Sequence, residues 1–186
     1  MNPSNQWDIV TLCRKSDPDR YKKFFSALKI LNAEGSMGDL DDGPDQLPLD
    51  PELVSESILA LLPGKNFDLI ITHSPHGEYT RHRRHEEVAE AVVRIIESKR
   101  LRTRSLWMFA YEDGNKQYLP MPIEHADRTI LLPQTVWNKK YHIMTEIYGF
   151  TNDSWEARTT PRKESFWMFC PSCRLKEPLR ERSGFK

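Results

Sequence analysis

At 186 residues the chain is long enough for one domain with a real core, and 38% hydrophobic against 29% charged side chains describes a soluble protein with a modest one. Basic and acidic side chains number 27 each, so nothing in the balance draws the chain to nucleic acid or to an anionic membrane. No apolar run approaches the roughly 20 residues that span a bilayer, no signal-peptide pattern opens the chain, and three cysteines do not make a disulfide framework. These features predict a protein of a reducing cytoplasm.

In chain order, a strand spans about Trp7 to Cys13, with Cys13 a small core residue. Ser16-Asp17-Pro18 starts a helix, a capping side chain preceding proline, and Tyr21, Phe24, Phe25, Leu28 and Leu31 form its apolar stripe. Gly38 to Pro51 is an aspartate-rich loop. Asp50-Pro51 repeats the helix start for Val54, Ile58, Leu61 and Leu62, and Pro63-Gly64 ends that helix. Phe67 to Thr72 (FDLIIT) reads as a buried parallel strand, and Val88, Ala91, Val92, Ile95 and Ile96 recur at helical spacing after it.

Ser105 to Tyr111 reads as another strand, Glu112 to Pro122 as a polar loop, and Thr129 to Leu132 as a short final strand. Pro133 opens the last helix, lined by Trp137, Tyr141, Met144 and Tyr148 and ended at Gly149. Strands alternating with helices predict a mostly parallel sheet with right-handed crossovers. Cys170 and Cys173 form a C-P-S-C pair, half of a zinc knuckle with no second pair, and read as surface thiols.

Four of the six histidines fall between β-strand and helix in the run THSPHGEYTRHRRH, Thr72 to His85. The crevice beyond the carboxyl ends of parallel strands is where open α/β sheets bind ligands. His82 and His85, three apart, can point at one spot, with His85 on the inward face of the first helical turn and His82 just before it. The positive end of the helix dipole favours neutral rings there. On spacing alone, the pair also reads as solvated histidines beside Arg81, Arg83 and Arg84.

The wider pattern IITHSPHGEYTRHRRHEEVAEAV resembles the second zinc motif of the PIG-L/LmbE-like N-acetylglucosaminyl deacetylases. In that family a strand ends in Thr-His, passes a Gly-Glu-Tyr turn and reaches His-Pro-Asp-His at a helix start. DIVTLC (Asp8 to Cys13), MGDLDDG (Met37 to Gly43) and WNKKYHIMTEIYGF (Trp137 to Phe150) resemble further family segments in the same order, over residues 7 to 169. The resemblance implies an α/β fold with a Rossmann-like, mostly parallel sheet flanked by helices. Residues 1–169 would form a single domain, and 170–186 a polar, disordered tail.

Two departures accompany the resemblance. The family's N-terminal strand, ending in His-Pro-Asp-Asp, is missing; His-Arg-Arg-His replaces His-Pro-Asp-His, with one residue inserted after Tyr79. The resemblance implies a zinc-dependent hydrolase of bacterial type that removes the N-acetyl group from an N-acetylglucosamine-type sugar conjugate. It assigns His85 as the metal ligand, His82 and Tyr79 as catalytic residues, and Asp41 and Asp42 as borders of the sugar pocket. Arg84, in place of a carboxylate, is expected to lower the pKa of His82. The alternative is a non-catalytic protein that keeps the fold to bind a glycan or a partner. The missing strand would leave a bare sheet edge, through which the chain is expected to form homo-oligomers.

Overall fold

The computed structural model describes residues 5–75 and 82–170. The architecture is mixed α/β, with both parallel and antiparallel strand pairs and, among the described residues, no closed barrel. The first unit is β1 (Asp8–Cys13), α1 (Pro18–Leu31) and β2 (Glu34–Leu40). Asp17 caps α1 as expected, accepting from the backbone N–H groups of Asp19 and Arg20. β1 and β2 run parallel, Asp8 opposite Glu34 through Thr11 opposite Met37.

β2 lies in the acidic segment expected to be loop from Gly38 onward, so the loop begins at Asp41. Two glycines with few flanking β-formers hide this strand from a propensity reading. They are there for close approach. A Cβ on Gly35 would sit 2.2 Å from the Ile9 carbonyl oxygen.

α2 (Pro51–Leu61), capped by Asp50, leads to β3 (Asn66–Thr72), and α3 (Arg83–Glu97) leads to β4 (Arg102–Phe109). β3 and β4 pair in parallel from Asn66 opposite Arg102 to Thr72 opposite Met108. The remainder departs from the expected parallel layout. β5 (Tyr111–Glu112) and β6 (Met121–Pro122) make a small antiparallel pair at the two ends of the expected loop. β7 (Arg128–Leu131) is not the final strand. It pairs antiparallel with β8 (Lys163–Phe169), which also runs antiparallel to β4.

α4 (Gln134–His142) continues into a π-helical turn, Ile143–Ile147, and a short α5 (Trp155–Arg158) precedes β8. Glu164, at the start of β8, accepts from the Tyr111 hydroxyl and the Lys140 ammonium, tying α4 to the sheet.

α2 packs on β1, β2 and α3, while α3 packs on β3 and β4. One buried cluster runs through this layer, joining Leu12 of β1 to Val54, Ile58, Ile95, Leu106 and Met108. α1 covers the opposite side with Phe24 and Leu28 against Met37, while Tyr21 of the expected stripe is 45% exposed and packs on Phe25. The strands nevertheless form separate sheets, β1-β2, β3-β4-β8-β7 and β5-β6. Among the described residues, the outer edges of β1 and β3 have no strand partner.

The expectation that the C-P-S-C thiols are free is corrected at Cys170, which is disulfide-bonded, whereas Cys13 is free. No helix among the described residues is long and apolar enough to cross a membrane. The expected disordered tail lies, from residue 171 onward, outside the described residues.

Candidate functional site: a histidine cluster at the strand ends

The chain leaves β1 at Arg14, β2 at Asp41 and β3 at His73, and these three ends converge on the first turn of α3. β1 connects onward to β2 and β3 to β4, each pair parallel and in its own sheet. Arg14 has φ of 70° there, a left-handed conformation that a non-glycine residue holds only under local constraint. Its guanidinium donates to the Asp42 carboxylate (3.1 Å) and carbonyl (3.0 Å).

His82 is the N-cap residue of α3 but its side chain makes no capping hydrogen bond, and His85 lies on the first turn, as the spacing predicts. The His85 ring stacks on His73, centroids 4.0 Å apart and planes 3° from parallel, and lies 4.8 Å from the His82 ring. The buried Nδ1 atoms of His82 and His85 have no hydrogen-bond partner among the described residues. Burial, reinforced by the neighbouring His73 and His82, pushes His85 down to about 3, so it is neutral throughout the physiological range.

Asp42 completes the cluster. Burial opposes its ionisation, but hydrogen bonds from Gln46 and Arg14 outweigh that and hold its carboxyl below the usual range. Its charge acts on both His82 and His85. Cys13 beside it is pushed up to about 11 by burial and by that same charge, which leaves it a thiol and excludes it as a nucleophile at neutral pH.

Of the residues expected at the site, His82, His85 and Asp42 come together. Asp41 points elsewhere, its carboxylate accepting from the Gly43 N–H and pairing with Arg84. Tyr79, like His76, lies outside the described residues. Arg84, expected to act on His82, is buried against Asp41, Leu47 and Glu87, with its guanidinium bonded to all three. Arg14 and Gln46 were not legible as site residues because only the fold brings them to Asp42. His73 could have been found, since it immediately follows a predicted strand at the ligand-binding end of the sheet.

The stacked pair of His73 and His85 does not make a shared zinc site. Imidazole nitrogens bind metals in the plane of the ring, and two rings stacked in parallel planes 4.0 Å apart cannot both direct a lone pair at one ion. Among the described residues, no group of three His, Cys, Asp or Glu side chains could hold a metal ion. His85 itself is a neutral, buried imidazole.

No protein family matches the chain by sequence, and no curated protein does either. Its fold is similar to that of the crystal structure of GalB, the 4-carboxy-2-hydroxymuconate hydratase of Pseudomonas putida KT2440. The match has a TM-score of 0.58 and 16% identity, covering 93% of this chain and 87% of that one. At that identity the likeness concerns the fold alone. These findings overturn the assignment to the PIG-L/LmbE-like deacetylases and, with it, zinc-dependent N-deacetylation of a sugar conjugate: no family match supports it, and the structural neighbour is described as a hydratase.

Proposed function

We propose that the chain is an enzyme of the hydratase class, adding water to or removing it from a small polar substrate at the histidine cluster. The observation that carries the reading is the pair of buried Nδ1 atoms on His82 and His85, without a hydrogen-bond partner among the described residues, beside the ends of β1, β2 and β3. A buried polar atom without a partner costs about 1 to 3 kcal/mol, a cost that a bound substrate or water can relieve. The hydratase likeness supplies the reaction class.

In this reading His82 is the acid–base group. It takes a proton from the attacking water as the new carbon–oxygen bond forms, and returns a proton to the neighbouring carbon as the double bond is lost. The Asp42 carboxylate stabilises the imidazolium that arises on His82. His85, neutral at working pH, hydrogen-bonds the reacting oxygen without competing for the proton.

The same reading extends to the fold. β1-β2 and β3-β4 are two halves of one Rossmann-like layer, interrupted between β1 and β3; the core shared by Leu12 and Leu106 beneath α2 and α3 supports this.

The test is hydration of 4-carboxy-2-hydroxymuconate, followed as loss of its conjugated ultraviolet absorbance. Turnover by the wild-type chain that falls about 100-fold or more in His82→Ala is expected. Absence of turnover, or full turnover in His82→Ala, overturns the reading.

A further inference from the structure

We propose that Arg84 and Glu87 are positioning residues that set Asp42 against the histidines by locking the loop after β2 onto the first turn of α3. The proposal rests on the acid–base reading above and deepens it.

Arg84 is 5% exposed, at the end of α3 that faces the strand termini. Its Nε donates to the Asp41 carbonyl (2.5 Å), and its Nη2 to the Leu47 carbonyl (2.8 Å) and the Asp41 carboxylate (3.2 Å). Its Nη1 donates to Glu87 (2.6 Å), one turn further along the helix. The other oxygen of Glu87 accepts the Leu49 N–H at 3.0 Å. Two side chains on one helical face thus seize the loop at Asp41, Leu47 and Leu49, spanning the segment in which Asp42 sits. Arg14 and Gln46 then orient the Asp42 carboxylate itself.

A buried guanidinium is costly to desolvate, and such pairs are weak sources of stability even when well bonded. What this one provides is geometry. Its planar fork reaches two loop carbonyls and two carboxylates at once, which a lysine ammonium on a flexible stem cannot reproduce. Leu49 packs against the core at the far end of the loop, but Leu47 is 67% exposed, so packing does not hold the stretch nearer Asp42.

Arg84→Met, Arg84→Lys, Glu87→Gln and Asp42→Asn would be compared by two readouts. The first, independent of any substrate, is the NMR fingerprint of the His82 and His85 rings together with hydrogen exchange at the Leu49 amide. Arg84→Met and Glu87→Gln are expected to deprotect Leu49 and to shift both rings in the direction that Asp42→Asn shifts them. Unchanged rings overturn the proposal, whatever the enzyme activity. Glu87→Gln keeps the side-chain volume and so serves if Arg84→Met fails to fold.

The second readout is the pH profile of kcat/KM. Arg84→Met is expected to lose about 100-fold, as displacement of a catalytic group does. The double variant Arg84→Met with Asp42→Asn should lose little more than either single change, and Arg84→Lys should not rescue. Full activity in Arg84→Met alongside loss in Asp42→Asn would overturn the positioning role and leave the acid–base reading standing. A wild type without hydratase turnover overturns that reading alone, and the ring fingerprint still decides this one.

Discussion

His85 makes a quantitative demand on pH. Its pKa is about 3 in the folded chain against an ordinary value of 6.5, so between those limits the unfolded chain binds a proton that the folded chain refuses. The stabilisation is complete above pH 6.5 and is lost as pH falls toward 3, at up to about 1.4 kcal/mol per pH unit. Asp42 and Asp39, both held below 3.8, add their own loss only at the acid end of this window. Urea unfolding at pH 7, 6 and 5 should therefore show a falling stability in the wild type and a flatter line in His85→Phe. Equal slopes would mean that the ring is not held neutral. The stack with His73 carries a second demand: added zinc should leave the melting temperature unchanged. A zinc-dependent rise that His85→Ala abolishes would show that the rings do not stay parallel.

At the scale of elements, the helices were legible because their caps and stripes are local. Asp17-Pro18 and Asp50-Pro51 start α1 and α2 where the capping chemistry requires. Strands β2 and β8 were not legible, since β2 is tolerated through backbone contact with β1 and β8 through insertion between β4 and β7. Two substitutions test these origins. Gly35→Ala drives a methyl into the Ile9 carbonyl and should cost about 1 to 3 kcal/mol or more, read by chemical denaturation. Ile95→Ala, at a fully buried position of α3, should cost about 2 to 5 kcal/mol. A neutral Gly35→Ala would show that β1 and β2 are not as closely apposed as described.

For the whole molecule, the unpaired edges of β1 and β3 set the expectation. Strands that carry Ile9, Val10 and Leu12 on one side and Leu69, Ile70 and Ile71 on the other, with one flank of each unpaired, form a template for another strand. Alternate amides of β1 should exchange hydrogen far faster than those bonded to β2, and sedimentation velocity should show self-association that grows with concentration. A strictly monomeric chain with uniformly protected β1 amides would mean that this flank is closed in solution.

The sequence by itself determined the alternation of strands and helices, the helix starts, and the placing of His82 and His85 at the mouth of a strand-to-helix turn. Those features depend on neighbours a few residues apart, which is the range over which capping, periodicity and turn chemistry act. Family and chemistry were misread from the same histidines, because a motif fixes which side chains are near one another and not how their rings are turned. Only the tertiary structure decided that His73 stacks flat on His85, that Arg84 faces the loop instead of His82, and that Arg14 comes to Asp42 from 28 positions away. Each is a contact between segments distant in the chain, set by how the strands pair and what the core between them will accommodate.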